Sequence, residues 1–126
     1  MSDKSVDWKN LRCLYAEDLK NSRVPVVVGG IRETPKDARL FCHNTSTGAW
    51  DVAFATPDKE GRTPYIQIPV PNEFGKRTAL LRQYVQAAGG DPDPSQVGTE
   101  ITLYPVESKK SVTGQAIRIA IPEQLA

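Results

Sequence analysis

VGTEITLYPVESKKSVTGQAIRIAI, residues 97–121, reads as two strands in strict alternation joined by a basic loop that ends in Gly114. Ile101 and Leu103 point one way, with Thr102 and Tyr104 opposite. Ile117, Ile119 and Ile121 share one side, with Arg118 and Ala120 on the other. Period two with β-branched residues is the pattern of a half-buried strand. The polar faces carry Tyr104 and Arg118 outward, beside a loop holding Lys109 and Lys110. An aromatic ring among cations on an open sheet face suits single-stranded nucleic acid. An ordinary solvated sheet face has the same composition.

Upstream, Val24–Glu33 reads as a strand with Pro25 near its start, and Gly29-Gly30 predicts a bulge or sharp bend within it. Ala38–Asn44 reads as a second strand, with Leu40 and Cys42 opposite Phe41 and His43. In a third, 49–56, Trp50, Val52 and Phe54 share one face. Tyr65–Val70 reads as a short fourth strand, placed at an edge by Pro64, Pro69 and Pro71. Asn72 looks like the cap of a helix that presents Phe74, Leu81, Tyr84, Val85 and Ala88 on one face and ends at Gly89-Gly90. Residues 1–22 read as an N-terminal packing arm or short helix, with Trp8, Leu11, Tyr15 and Leu19 near helical spacing. Residues 23–126 read as a single domain.

This order of elements predicts a mostly β (α+β) domain. It is OB-fold-like: a five- to six-stranded antiparallel barrel with one helix before the closing hairpin. The predicted barrel filling is Leu40, Trp50, Val52, Phe54, Ile101, Leu103, Ile117 and Ile119.

At 126 residues the chain is long enough to bury a core without staples. The net charge of +1 argues against a purely electrostatic nucleic-acid binder, which would be strongly basic. No apolar run approaches a membrane span, and the first twenty residues lack the apolar stretch of a signal peptide, so a cytoplasmic location without membrane contact is expected. Cys13 and Cys42 are then expected as reduced thiols. With His43 they fall short of the four ligands of a structural zinc site, and no other metal or cofactor is expected.

The chain lacks a P-loop and a GxGxxG motif, and its only histidine, His43, neighbours Cys42 on a strand, where adjacent side chains point to opposite faces. No catalytic residues are assigned, and a non-catalytic binding protein is expected. An OB-type site uses a strand face and two loops. The candidate nucleic-acid-binding residues are therefore Lys36, Arg39, Phe41, His43, Tyr104, Lys109, Lys110 and Arg118.

The segments L-Y-A-E-D-L (14–19), I-P-V-P-N (68–72), G-T-E-I-T-L-Y-P (98–105) and G-Q-A-I-R-I (114–119) resemble a family of small proteins encoded by tailed bacteriophages, often of actinobacterial hosts. The similarity spans roughly residues 14 to 122. It departs from the family's pattern at Asn72-Glu73-Phe74-Gly75, which keeps one Asn of an Asn-Lys-Thr-Asn run. At Gln96-Val97-Gly98-Thr99 the family's Trp and Lys are missing, which puts any ligand contact of those groups in doubt here.

The resemblance implies a phage protein with a barrel like that of single-stranded-DNA-binding proteins, acting in the host cytoplasm. The expected partner is single-stranded DNA or RNA, during phage DNA replication or recombination. The alternative is an interaction module that binds a host or phage protein with no nucleic-acid role. A structural piece of the virion is a third reading. The strand 65–70, if it is an edge, would allow a homodimer as well as a monomer.

Overall fold

The computed structural model describes residues 6–34, 48–71, 74–109 and 114–121. Among them six strands form one curled sheet: β1 (Leu11–Cys13), β2 (Val24–Glu33), β3 (Ala49–Phe54), β4 (Thr63–Pro69), β5 (Glu100–Glu107) and β6 (Gln115–Ile119). Their spatial order is β1-β4-β3-β2-β5-β6. The helix α1 (Ala79–Ala88) packs on β6, β4 and β5. The architecture is a mostly β, OB-like half-barrel, with α1 packed mainly against β6 and also against β4 and β5. The sheet is mixed rather than antiparallel throughout, because β1 runs parallel to β4, with Leu11 opposite Thr63 and Cys13 opposite Tyr65.

β2 is the strand that bends the sheet. Its first half pairs with β5, from Val24 opposite Leu103 to Val27 opposite Glu100. Its second half pairs with β3, and the register shifts between Val28 and Gly30. The expected bulge is therefore present, and it re-phases the strand. Val28 and Ile31 both face the core although three residues apart, which plain alternation forbids. Pro25 is tolerated because β3 joins β2 only from Val28 onward, so the missing N–H faces a flank without a ladder. Pro105 is tolerated likewise, since β5 has outrun β2 beyond Leu103.

The concave side holds the core: Val28, Ile31, Val52, Phe54, Ile66, Ile68, Ile101, Leu103 and Ile119, closed by Leu80, Leu81 and Tyr84 of α1 and by Leu19. Each such aliphatic or aromatic side chain, fully buried, contributes about 1.5–3 kcal/mol. Of the predicted barrel filling, Val52, Phe54, Ile101, Leu103 and Ile119 are buried. Trp50 and Ile117 are partly buried against them, and Leu40 lies outside the described residues.

Several expectations are corrected. In the N-terminal segment, expected as a packing arm or short helix, β1 is followed by a 3₁₀ turn, Ala16–Leu19, whose Leu19 packs into the core. β4 is an edge only in part: β1 covers it at Thr63–Tyr65, while from Ile66 onward its outer flank meets no strand among the described residues. β4 is also a separate antiparallel neighbour of β3. The predicted strand 38–44 lies outside the described residues, among which β2 pairs with β3 and β5.

The helix begins later than Asn72. Gly75 takes a left-handed φ of 76° and Thr78 caps α1, accepting from the Leu81 N–H at 3.2 Å. Phe74, expected on the buried face, is 84% exposed. Cys13, expected as a thiol, is disulfide-bonded. The chain's one other cysteine, Cys42, lies outside the described residues.

The connection from α1 to β5 is tied by one glutamine. The buried Tyr84 hydroxyl donates to Gln96 Oε1 at 2.8 Å, and Gln96 Nε2 donates to the carbonyls of Gly90 and Asp91. Burial, with the Asp93 carboxylate adding to it, pushes the Tyr84 hydroxyl from 10.0 up to about 12. α1 also guards the outer edge of β6: Gln83 Oε1 accepts from the Ile119 N–H at 3.1 Å.

Candidate binding face

Beyond Leu103 the β5–β6 hairpin projects past the start of β2, and the chain entering β2 lies beside it. Lys20 and Asn21 are consecutive left-handed residues, with φ of 51° and 59°. This conformation is disfavoured for residues with a Cβ, and asparagine tolerates it better than most. The reversal delivers Asn21, Ser22 and Arg23 to the hairpin's outer face. There they form, with Tyr104, Pro105, Val106, Glu107 and Gln115, a shallow cleft of about 320 Å³.

Tyr104 and Arg118 are directly opposite each other in the β5–β6 register. The Arg23 guanidinium lies 5.7 Å from the centre of the Tyr104 ring, within cation–π range. The lip of the cleft is fixed by Gln115 Nε2 donating to Asn21 Oδ1 at 3.2 Å. Arg118 is half-buried, and its Nη1 donates to the Ile117 carbonyl at 2.9 Å, at the outer edge of β6. Lys109 is exposed at the end of the hairpin, which the Ser108 N–H closes onto the Gly114 carbonyl. Ala120, on the same side of β6 as Arg118, is fully buried and bounds the open area.

Tyr104, Arg118 and Lys109 are thus gathered on one hairpin. Lys36, Arg39, Phe41, His43 and Lys110 lie outside the described residues. Arg23 was missed in the sequence because it precedes the first clear strand. Its signal was its place just before the alternating run from Val24. Pro25 and Val27, on the same side of β2, are exposed and extend this face.

The outer face is closed at the other end of the sheet. Asp51 is 2% exposed, in the middle of β3, and its Oδ1 accepts from Thr34 Oγ1 at 2.8 Å and Gln67 Nε2 at 3.0 Å. Its Oδ2 accepts from Arg32 Nε at 3.0 Å. Tyr65, next to this network, is buried, and burial and the Asp51 charge raise its pKa.

A second charged group joins β1 to the β3–β4 loop. Arg12 donates to Asp18 at 2.7 Å and lies 3.8 Å from Asp58, which also faces Arg62. Burial alone would raise the Asp58 pKa; the backbone N–H groups of Arg62 and Glu60, with the two arginines, lower it on balance.

Among the described residues no group of three His, Cys, Asp or Glu is placed to hold a metal ion, and no helix is long and apolar enough to cross a membrane. Comparison with protein-family models, curated proteins and solved structures finds no match to this chain.

Proposed function

We propose that this protein binds single-stranded nucleic acid, DNA or RNA, without catalysing a reaction, on the outer face of the β5–β6 hairpin and the start of β2. The observation that carries this reading is the Arg23 guanidinium 5.7 Å from the Tyr104 ring, with Arg118 paired opposite. A tyrosine on an open strand offers a stacking surface worth about 1–3 kcal/mol per base, and flanking cations follow the phosphates. Arg23, Arg118 and Lys109 are few, as the net charge of +1 requires. The resemblance to phage proteins supports a role in copying or recombining phage DNA.

The test is fluorescence anisotropy of labelled oligo-dT, single-stranded RNA and duplex DNA at several salt concentrations. With about three phosphate contacts, log affinity falls with log salt with a slope near −2 for single strands. Preference for single strands, lost in Y104A and weakened by R23E or K109E, supports the reading. Absence of binding at low salt, or binding indifferent to Tyr104, overturns it.

A second reading rests on apolar residues further along the same side of β2. Val27 is 37% exposed and Pro25 is exposed beside it, which suits a host or phage protein docking on the same face. Binding to such a protein that survives high salt and competes with no oligonucleotide favours this reading.

A further inference from the structure

The bulge at Gly29 places Gly30 and Arg32 on the same outer side of the sheet as Arg23, Pro25 and Val27. The outer side of β2 thus runs from one arginine–aromatic pair to another. The second pair is internal to the chain: the Arg32 guanidinium lies 4.4 Å from the centre of the Trp8 ring. Arg32 is pinned from below by Asp51 at 3.0 Å, yet its side chain remains 36% exposed. A flat guanidinium held by a buried carboxylate and stacked on its other face is a receptor for any planar aromatic ring.

The segment that fills the receptor is lightly attached. Val6 and Trp8 reach the sheet at Gly30, where a Cβ would lie 2.9 Å from Val6 Cγ2 and 3.0 Å from Trp8 Cζ2. Among the described residues the backbone hydrogen bonds of this segment are local: the Asn10 N–H donates to Asp7 O and the Lys9 N–H to Asp7 Oδ1. Firm attachment to the body begins at Asn10, whose carbonyl accepts from the Thr63 N–H and whose amide donates to Gly61 O. Lifting residues 6–8 breaks no ladder bond among the described residues.

We propose that Trp8 is an intramolecular stand-in for a nucleobase: the Arg32 receptor is a second stacking position for single-stranded nucleic acid, and a bound strand displaces residues 6–8. This rests on the binding reading above and extends it along β2. From Arg23 to Arg32 the chain runs at most about 30 Å at about 3.3 Å per residue, less where the bulge bends it. A short oligonucleotide therefore occupies the Tyr104 cleft alone, whereas a long one reaches Arg32 and must expel Trp8. The arm in this way sets a minimum length for tight binding.

The experiment uses W50F, which leaves Trp8 as the sole tryptophan, together with W8A in the native chain. Short and long oligo-dT are titrated while anisotropy and tryptophan emission are recorded. Long oligo-dT is expected to shift Trp8 emission to the red and open it to acrylamide quenching, while short oligo-dT binds without either change. W8A is expected to bind long oligo-dT at least about 5-fold more tightly and short oligo-dT as before, since the ring contact that need no longer be displaced is worth about 1 kcal/mol at the low end for aromatic stacking.

Long oligo-dT that binds with Trp8 emission unchanged, at equal affinity in W8A, overturns the proposal and leaves the Tyr104 reading standing. Binding enhanced in W8A but indifferent to Y104A keeps the Arg32 receptor and sinks the Tyr104 reading. Binding by neither protein overturns both.

Discussion

A Cβ built on Gly29 would lie 2.8 Å from the Cα of Ala55, so β2 meets the chain leaving β3 backbone to backbone at the bulge. No side chain there can yield. G29A is expected to cost about 1–3 kcal/mol by overpacking. At Gly30 the obstructing atoms belong to Val6 and Trp8, which can move aside. G30A is therefore expected to cost less and to loosen the arm. Urea unfolding of both variants ranks them; equal losses would remove the distinction drawn between backbone and arm contacts.

Asp51 is buried with three donors around it. Breaking a buried pair by removing one partner costs about 3–5 kcal/mol, and the partial exposure of Arg32 discounts this to about 2–3 kcal/mol for D51A. The same variant frees Arg32 and is expected to shift Trp8 emission in a W50F background. A stability loss below about 0.5 kcal/mol would show that water replaces the carboxylate without penalty.

Tyr84 makes stability depend on alkaline pH. Its folded pKa, about 12, lies above the ordinary 10.0, so its contribution is complete below pH 10 and is lost as pH rises towards 12. The loss amounts to about 2–3 kcal/mol at 1.36 kcal/mol per unit. Y84F is expected to start about 1 kcal/mol lower, having lost the bond to Gln96, and to lack this component. Unfolding free energies measured from pH 9 to 12 test it; parallel curves for the two proteins would refute the assignment.

The disulfide of Cys13 anchors β1, the three-residue strand beside β4. Reduction is expected to lower stability by about 2–4 kcal/mol. Thiol titration of the unreduced protein, followed by melting with and without reductant, checks both the bond and its worth. Two titratable thiols in the unreduced, unfolded protein would contradict it.

The half-barrel could be read from the sequence where alternation is long: β5 and β6 announce themselves by their isoleucines, and the Gly29-Gly30 bulge by breaking the period of β2. β1 is hidden because three residues, Leu-Arg-Cys, carry no period, and its parallel partner lies far along the chain. The helix start misleads because Asn72 has the chemistry of a cap, while Thr78 holds the position after Gly75 has turned the chain. Asp51 reads as a solvent-facing strand residue; only the fold brings Arg32, Thr34 and Gln67 to it. The pairing of Tyr104 with Arg118 is legible because cross-strand pairing follows from the hairpin itself. The ring contacts of Arg23 and Trp8 are not, since they join segments with no shared pattern.

The split pairing of β2 also sets an order of events during synthesis. Its second half meets β3 soon after emerging, but its first half waits for β5, with β3, β4 and α1 made in between. Throughout that interval Val24, Val26 and Val27 present a bare, β-branched edge, the kind that recruits foreign strands. The strand that bends the sheet thus keeps one flank unpaired until the residues from Glu100 onward are made.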